Sequence, residues 1–296
     1  MWSGDPRQQG QMLQATRREK LPKATDRLQL GLSGLTVSPI CIGITMKPET
    51  IPAAFDAGVN FFFLTADLHW PLYEGVRRGL ELLFSRGAAI RDQVVVGVVS
   101  YLDQPLFGAL QFNEVIDSVP GLQRIDLLIA GAISNEQSFN DRLHAIYNAR
   151  GVGHCGSRAI GGSFHDRRCA LMSLNYNCLD VNYVRYNTAH PGADADIFPY
   201  LRRDRKGLIF NFKSVLSMVT PEHLRRLGLN GDIWLPKVTD YYRFVLTNPY
   251  IDGVLCSPAS PEQLTELLAA LEERPFTITE EQYMVWLSSV ATPKYF

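Results

Sequence analysis

Residues 60–70 read NFFFLTADLHW, an apolar run that ends in polar and titratable side chains. The run from Phe61 to Leu64 predicts a strand buried on both faces, as strands of parallel sheets are. Asp67 and His69 follow it two positions apart, just beyond the predicted strand. A strand that delivers such groups at its carboxyl end is typical of active sites in α/β proteins.

Apolar runs of this kind recur along the chain. They are ICIGIT (40–45), VNFFFLT (59–65), VVVGVVS (94–100), IDLLIAG (125–131), SRAIGGS (157–163), DVNYVRYN (180–187), GLIFNFK (207–213) and DGVLCS (252–257). Helical periodicity appears between them, for example in YEGVRRGLELLFS (73–85) and in SPEQLTELLAALEE (260–273), where Ser260 is the predicted N-cap. The alternation predicts an α/β fold, a parallel (β/α)8 TIM barrel. An open doubly wound sheet is the less favoured alternative, because no GxGxxG follows the first strand.

The composition favours a small-molecule partner. The chain has 296 residues, a formal net charge of -1 and 20% charged residues, so no general field attracts nucleic acid or a membrane surface. A protein partner or a homo-oligomer stays open. No apolar run reaches the roughly 18 residues of a membrane span, and the first residues are too polar for a signal sequence, so a cytoplasmic location is expected.

The organisation along the chain is simple. Residues 1–26 are polar and lack a sustained period, which predicts a flexible N-terminal arm ahead of a single barrel domain over residues 27–296. The five cysteines are scattered without a CxxC pair, so we expect reduced thiols that mostly pack as small hydrophobic residues.

If the chain forms a barrel, its site lies at the carboxyl ends of the strands. His69 and Asp67 are predicted to be a catalytic acid/base pair, with local hydrogen bonding in a surface loop as the alternative. The candidates for substrate contact are Trp70, Tyr101, His165 and Asn187. Packing is the alternative for Trp70 and Tyr101, and a position at a helix start capped by Asp166 is the alternative for His165. No metal is expected, because no ligand spacing demands one.

Several blocks between residues 27 and 275 resemble the aldo-keto reductase superfamily. They are LGLSGLTVSPICIGI (30–44), AFDAGVNFFFLTADLHW (54–70), RAIGGS (158–163), RYNTAHPGADADIFP (185–199), YYRFVLTNP (241–249) and CSPASPEQL (256–264). The resemblance implies a (β/α)8 barrel that reduces carbonyl compounds with NADP as the cofactor.

The resemblance also implies a tetrad of aspartate, tyrosine, lysine and histidine, and the chain departs from it. Mapped onto the blocks, Leu64 stands at the aspartate position, His69 at the tyrosine position, Val99 near the lysine position and Gly131 near the histidine position. A leucine and a valine can neither bring the pKa of a phenol towards neutrality nor hold a lysine in place. His69 then remains as the proton donor, and an imidazolium can donate near neutral pH.

The cofactor residues that the resemblance implies are partly present. Ser163 is kept after the fifth strand, and Phe212, or Phe210 two positions earlier, could stack on a nicotinamide ring. Lys213 and the amino end of the predicted helix that begins at Pro261 could hold a pyrophosphate. The segment CSPASPEQL offers no cation to the 2'-phosphate of NADP. The candidates for cofactor contact are Ser163, Phe212, Lys213, Ser257 and Ser260.

Three functional hypotheses follow. The first is an enzyme on this scaffold that performs redox-neutral acid/base chemistry with His69, such as dehydration, cyclisation or isomerisation of a small, secondary-metabolite type of substrate. The second is an NAD(P)H-dependent oxidoreductase with an altered proton donor. The third is a non-catalytic barrel that binds a partner or a ligand. The two enzymatic hypotheses are favoured, because two titratable groups stand together at a strand end.

Overall fold

The computed structural model describes residues 17–67, 69–152, 156–216, 218–226, 228 and 233–291. The segment Leu28–Gln29 (β1) pairs antiparallel with Thr36–Val37 (β2), which forms a hairpin ahead of the first barrel strand. The barrel strands follow: Ile40–Ile42 (β3), Phe61–Thr65 (β4), Val95–Ser100 (β5), Leu127–Ile133 (β6), Ala159–Phe164 (β7), Val181–Arg185 (β8), Leu208–Phe212 (β9) and Gly253–Cys256 (β10). Each predicted run overlaps one of these strands, although β6 and β7 extend beyond the ends of their runs.

The barrel strands close on themselves. Their order is β3 to β10 around the barrel with β10 paired to β3, and every pair is parallel. This arrangement confirms the predicted (β/α)8 TIM barrel. All strands therefore point their carboxyl ends to one mouth, where the loops of a barrel build a site.

Helices surround the barrel. The α-helices are Thr50–Asp56 (α1), Glu74–Phe84 (α2), Ala88–Arg91 (α3), Pro105–Ser118 (α4), Glu136–Val152 (α5), Arg167–Asn175 (α6), Ala193–Asp196 (α7), Pro221–Arg226 (α8), Val238–Thr247 (α9), Pro261–Ala270 (α10) and Ile278–Ala291 (α11). Short 3-10 turns cover Trp70–Tyr73 and Phe198–Tyr200. The predicted caps are present: Ser260 accepts a hydrogen bond from Gln263 N, and Asp166 accepts one from Cys169 N. Within the described residues, no helix is both long and apolar enough to cross a membrane.

Alternate residues of each strand divide between two apolar layers. In β8, Val181 and Tyr183 belong to the cluster inside the barrel, whereas Val184 packs in the layer between barrel and helices. Because side chains alternate along a strand, this assignment tells which strand-end residues face the mouth. Arg185, the last residue of β8, continues the inward series.

The amino-terminal end of the barrel carries structural contacts. Part of the predicted arm packs here: Leu21 and Ala24 are buried, and the Arg18 guanidinium donates to the carbonyl oxygen of Ile251 at 2.5 Å. Residues 17–26 are thus docked on the barrel, and residues 1–16 lie outside the described residues. The fully buried Arg91 and Asp126 join the starts of β5 and β6 through a 2.8 Å ion pair.

Candidate functional site at the barrel mouth

The floor of the mouth is aromatic. The rings of Phe63 and Tyr183 meet edge to face with centroids 5.5 Å apart, and Tyr73 lies 6.1 Å from Phe63. Burial holds the pKa of the Tyr73 and Tyr183 phenols well above the usual value, so both stay neutral at ordinary pH. Any ligand in the mouth therefore rests on an uncharged, largely apolar surface.

Asp67 and His69 form a hydrogen-bonded dyad beyond the end of β4. Asp67 Oδ1 lies 3.0 Å from His69 Nδ1 and accepts hydrogen bonds from the His69 backbone N–H at 3.0 Å and from Thr65 Oγ1 at 2.6 Å. The Asp67 side chain is only 10% exposed, whereas His69 is 56% exposed. A carboxylate can only accept, so Nδ1 carries a proton and Nε2 is presented outward. The structure thus pairs the two predicted catalytic residues in the geometry that orients an imidazole for proton transfer.

Tyr101 approaches the dyad from the end of β5. Its ring centroid lies 5.5 Å from that of His69, and its side chain is about one third exposed. Burial and then the Asp67 charge raise the pKa of the phenol, while Arg142 acts in the opposite direction. Tyr101 is therefore a neutral hydrogen-bond donor, placed between a carboxylate and a guanidinium.

Gly131 makes room for this tyrosine. A Cβ atom at position 131 would lie 2.6 Å from Cδ1 of Tyr101 and 2.9 Å from Cγ2 of Val99. The guanidinium of Arg142, on α5, donates to the Gly131 carbonyl oxygen. The absence of a side chain at one strand end thus allows the ring from the neighbouring strand to cross it.

Trp70 is half-buried and one of its faces is covered. The Arg77 guanidinium carbon lies 3.7 Å from the centre of the indole ring. Trp70 also packs against the outer apolar layer. The packing alternative accounts for these contacts, and the covered face is closed to a substrate as long as Arg77 stays in place.

His165 and Phe212 stand on the opposite side of the mouth. Their rings meet edge to face at 5.8 Å, and the Lys213 ammonium nitrogen lies 6.0 Å from the Phe212 ring centre. Burial lowers the pKa of His165, and the positive charges of Lys213, Arg185 and Arg142 lower it further. This half of the mouth is electropositive, whereas the dyad half holds a carboxylate.

Asn187 has a structural role that the prediction of substrate contact did not include. Its side chain is fully buried, accepts hydrogen bonds from Ala189 N and His190 N, and donates to the Lys213 carbonyl oxygen at 2.9 Å. It ties the loop after β8 to the residue that follows β9. Asn187 therefore positions Lys213, whose φ of +59° lies in the left-handed region.

No protein-family model and no curated protein matches the chain. Solved structures do match it. The holo form of an aldo-keto reductase from Bacillus halodurans aligns with a TM-score of 0.68 and 14% identity over 92% of this chain and 99% of that one. An aldo-keto reductase from Brucella melitensis aligns with a TM-score of 0.59 and 12% identity over 89% of this chain and 99% of that one. One from Pseudomonas aeruginosa aligns with a TM-score of 0.59 and 17% identity over 86% of this chain and 97% of that one. The chain has the aldo-keto reductase fold. At these identities the likeness supports the suspected resemblance through the fold alone.

The positions mapped onto the aldo-keto reductase tetrad fall in different environments. Leu64 packs in the outer layer towards the helices, and the inward residues of β4 are Phe63 and Thr65. Val99 faces the barrel interior. The position that corresponds to the aspartate, Leu64, therefore faces the helices, and neither inward neighbour is a carboxylate.

The residues expected to contact the cofactor are only partly gathered in one place. Phe212 is half-buried and packs against the barrel interior, whereas Phe210 is fully buried below it, so Phe212 is the ring available at the mouth. Ser163 Oγ accepts a hydrogen bond from Ala132 N at 2.9 Å and keeps its own proton to donate. Ser257 is exposed at the end of β10, and Ser260 is engaged as the N-cap of α10.

Two site residues were missed by the sequence argument, Arg142 and Arg185. Arg185 was detectable, because the inward alternation of DVNYVRYN places it at the mouth. Arg142 sits in α5, and its reach to Gly131 depends on how that helix packs against the barrel. Among the described residues, no group of three or more His, Cys, Asp or Glu side chains could hold a metal ion.

Proposed function

We propose that this protein is an NAD(P)H-dependent oxidoreductase that reduces the carbonyl group of a small molecule, with His69 as the proton donor. The observation that carries the proposal is the Asp67–His69 dyad, with Nδ1 and Oδ1 3.0 Å apart at the mouth of an aldo-keto reductase fold. The reactions of barrel enzymes take place at this end of the fold.

The residues of this chain would divide the work as follows. A reduced nicotinamide, when bound, supplies a hydride to the carbonyl carbon. His69 Nε2 gives a proton to the carbonyl oxygen, so that an alcohol forms, and the exposed ring recovers a proton from solvent. Asp67 accepts a hydrogen bond from Nδ1 and so fixes the orientation of the imidazole. The neutral phenol of Tyr101 can donate a second hydrogen bond to the same oxygen.

The mouth fits the nicotinamide end of the cofactor better than the 2'-phosphate end. Phe212 offers a half-buried ring for stacking, and Ser163 offers a hydroxyl that can donate. At the start of α10, by contrast, the exposed Glu262 carboxylate lies 3.6 Å from Lys47 Nζ. The 2'-phosphate of NADP would have to compete with that carboxylate for the Lys47 ammonium, whereas the free ribose hydroxyls of NAD could donate to the carboxylate.

The test begins with titration of the purified protein with NADH and with NADPH, followed by tryptophan fluorescence and calorimetry. Binding at micromolar concentration, followed by turnover in a panel of carbonyl compounds, is the expected result. His69→Ala should lower kcat by roughly 100-fold or more, the usual contribution of general acid catalysis. His144→Ala, which removes an exposed histidine of α5, is the matched control and should leave turnover unchanged. Full activity of folded His69→Ala would refute the assigned role.

The redox-neutral hypothesis rests on the same dyad. The structural neighbours are reductases and lend it no support. It would become the leading hypothesis if neither cofactor bound at millimolar concentration and His69→Ala still abolished conversion of a substrate. A chain that binds neither cofactor nor substrate would favour the non-catalytic barrel.

A further inference from the structure

A group of cations surrounds His165 at the ends of four adjacent strands. Arg185 ends β8, Lys213 follows β9, and His165 follows β7. Arg142 reaches the end of β6 from α5, where it donates to the Gly131 carbonyl oxygen. Three guanidinium or ammonium groups thus stand on one side of the mouth.

The strand register brings these groups to one level. Arg185 pairs with Phe212, the residue before Lys213, and Phe164, the residue before His165, pairs with Val184. Neighbouring parallel strands lie about 4.8 Å apart, so the three strand ends are close together. The inward alternation of β8 directs Arg185 into the mouth.

Within the described residues, these cations lack acidic partners. Across the described part of the chain, no aspartate or glutamate forms an ion pair with Arg142, Arg185 or Lys213. Arg142 and Arg185 are also half-buried, which distinguishes them from solvated surface arginines. Like charges gathered without counter-charges destabilise one another, and a bound anion would relieve that cost.

The neighbouring histidines respond to this field. The pKa of His165 is lowered by burial and by the three cations, and the pKa of His190 is lowered by burial and by Arg185, Arg167 and Lys213. Among the described residues, the charges that shift these two pKa values are all positive. The electropositive region therefore extends over the whole side of the mouth opposite the Asp67–His69 dyad.

We propose that Arg142, Arg185 and Lys213 form an oxyanion-binding subsite that holds a carboxylate or phosphate group of the substrate. Guanidinium groups bind such anions with paired hydrogen bonds, and the ammonium adds a third charge. An anion held there leaves the rest of the substrate to extend across the aromatic floor towards His69. The assignment of the anion to the substrate rests on the proposed reductase function, whereas the existence of the subsite does not.

The first experiment measures anion binding without a cofactor. Inorganic phosphate and acetate are titrated by calorimetry at constant ionic strength, and each titration is repeated with saturating NADH. Saturable binding of at least one anion, retained in the presence of NADH, is the expected result. Binding that NADH abolishes would mean that the cations hold the diphosphate of the cofactor, and it would overturn the assignment to the substrate. No saturable binding of either anion would overturn the subsite.

Matched variants locate the bound anion. Arg185→Gln should weaken binding by about tenfold or more, the loss expected for one charge-assisted contact. Arg86→Gln removes the same charge from the opposite end of the barrel and should leave affinity unchanged. Lys213→Gln and Lys206→Gln form a second pair, since these lysines flank the two ends of β9. Equal losses within a pair would refute the subsite. Arg185→Lys, which keeps the charge, replaces Arg185→Gln if the latter does not fold.

A final comparison tests the substrate class. 5-Oxohexanoate and 2-hexanone differ in that a methyl group of the ketone replaces the carboxylate, and the methylene groups of the acid let its carboxylate lie apart from the carbonyl. We expect the oxo acid to be reduced with the higher kcat/KM, and Arg185→Gln to remove most of that preference through KM. An unchanged preference in Arg185→Gln would refute the assignment to the substrate. If NADH does not bind at all, this comparison fails while the phosphate and acetate titrations still decide the subsite.

Discussion

Gly131→Ala should displace the ring of Tyr101 while the phenol itself stays chemically unchanged. The variant therefore tests the position of the phenol. The new Cβ would lie 2.6 Å from Cδ1 and 2.7 Å from Cε1 of the tyrosine ring. Ordinary contact between carbon atoms begins at about 3.6 Å, so the ring must move by about 1 Å. The new Cβ would also lie only 2.9 Å from Val99 Cγ2, so a second side chain crowds the methyl group. The backbone at Gly131 is not in the left-handed region, so alanine adds no strain of its own.

Activity should suffer more than stability. A displacement of about 1 Å in a positioned group can reduce the rate by roughly 100-fold. The ring of Tyr101 is one third exposed and can swing towards solvent, so the free energy of unfolding should fall by only about 1 kcal/mol, the lower end of the cost of overpacking. Steady-state kinetics and urea denaturation measure the two effects on the same preparations.

Controls make the result decisive. Gly108→Ala, at a helical glycine whose added Cβ meets no atom within 4 Å apart from its chain neighbours and the nearby backbone of its own helix, should keep full activity and gain roughly 0.5–1 kcal/mol of stability. Tyr101→Phe should lose a similar share of activity to Gly131→Ala, because both remove the hydroxyl from its place. Gly131→Ala with activity within twofold of the parent protein, while Tyr101→Phe is impaired, would refute the argument.

Three more predictions concern stability, pH and cofactor choice. Asp126→Asn should lower the free energy of unfolding, measured by urea denaturation, by about 3–5 kcal/mol. The substitution leaves the 2% exposed Arg91 guanidinium without the carboxylate that it contacts at 2.8 Å. A loss below about 1 kcal/mol would contradict this prediction. Burial and neighbouring cations lower the pKa of His165 in the folded protein below the unfolded value of about 6.5. The stability that the neutral ring contributes above that pH is therefore lost as the pH falls. Calorimetry should show a smaller loss of stability with falling pH for His165→Gln. Glu262→Arg should strengthen binding of NADPH relative to NADH in fluorescence titrations, and an equal change for both cofactors would argue against contact with the 2'-phosphate.

The strands could be predicted because their signal is local. Long apolar runs in alternation with helical periodicity are enough to define parallel strand–helix units, and helix caps such as Ser260 depend on their immediate neighbours. The boundaries were less accurate where the backbone departs from ideal geometry. β6 runs on to Ile133 beyond the predicted end at residue 131, and its register shifts around Ala132, whose φ is +49°. Apolar pattern alone does not reveal such an irregularity.

The site could be predicted only where its contacts are close in sequence. Asp67 and His69 are two residues apart, so their pairing follows from local geometry. The cover of Arg77 over Trp70 and the crossing of Tyr101 over Gly131 depend on how separate elements pack. Pairwise packing of this kind is set by side-chain volumes in three dimensions, which a single sequence does not display.

The mouth holds four kinds of group that the family resemblance implies, but other positions supply them. The carboxylate and imidazole come from Asp67 and His69, the phenol from Tyr101 and the cation from Arg142. Because all strands of a barrel open into one volume, a group lost from one strand end can be replaced from the next. Positions 101 and 131 depend on each other, since the Tyr101 ring occupies space that any side chain at position 131 would need. Gly131→His, which the family pattern presents as a repair, should therefore expel the phenol and lower the same steady-state activity that Gly131→Ala lowers. Activity of that variant equal to or above that of the parent protein would mean that the phenol is not part of the site.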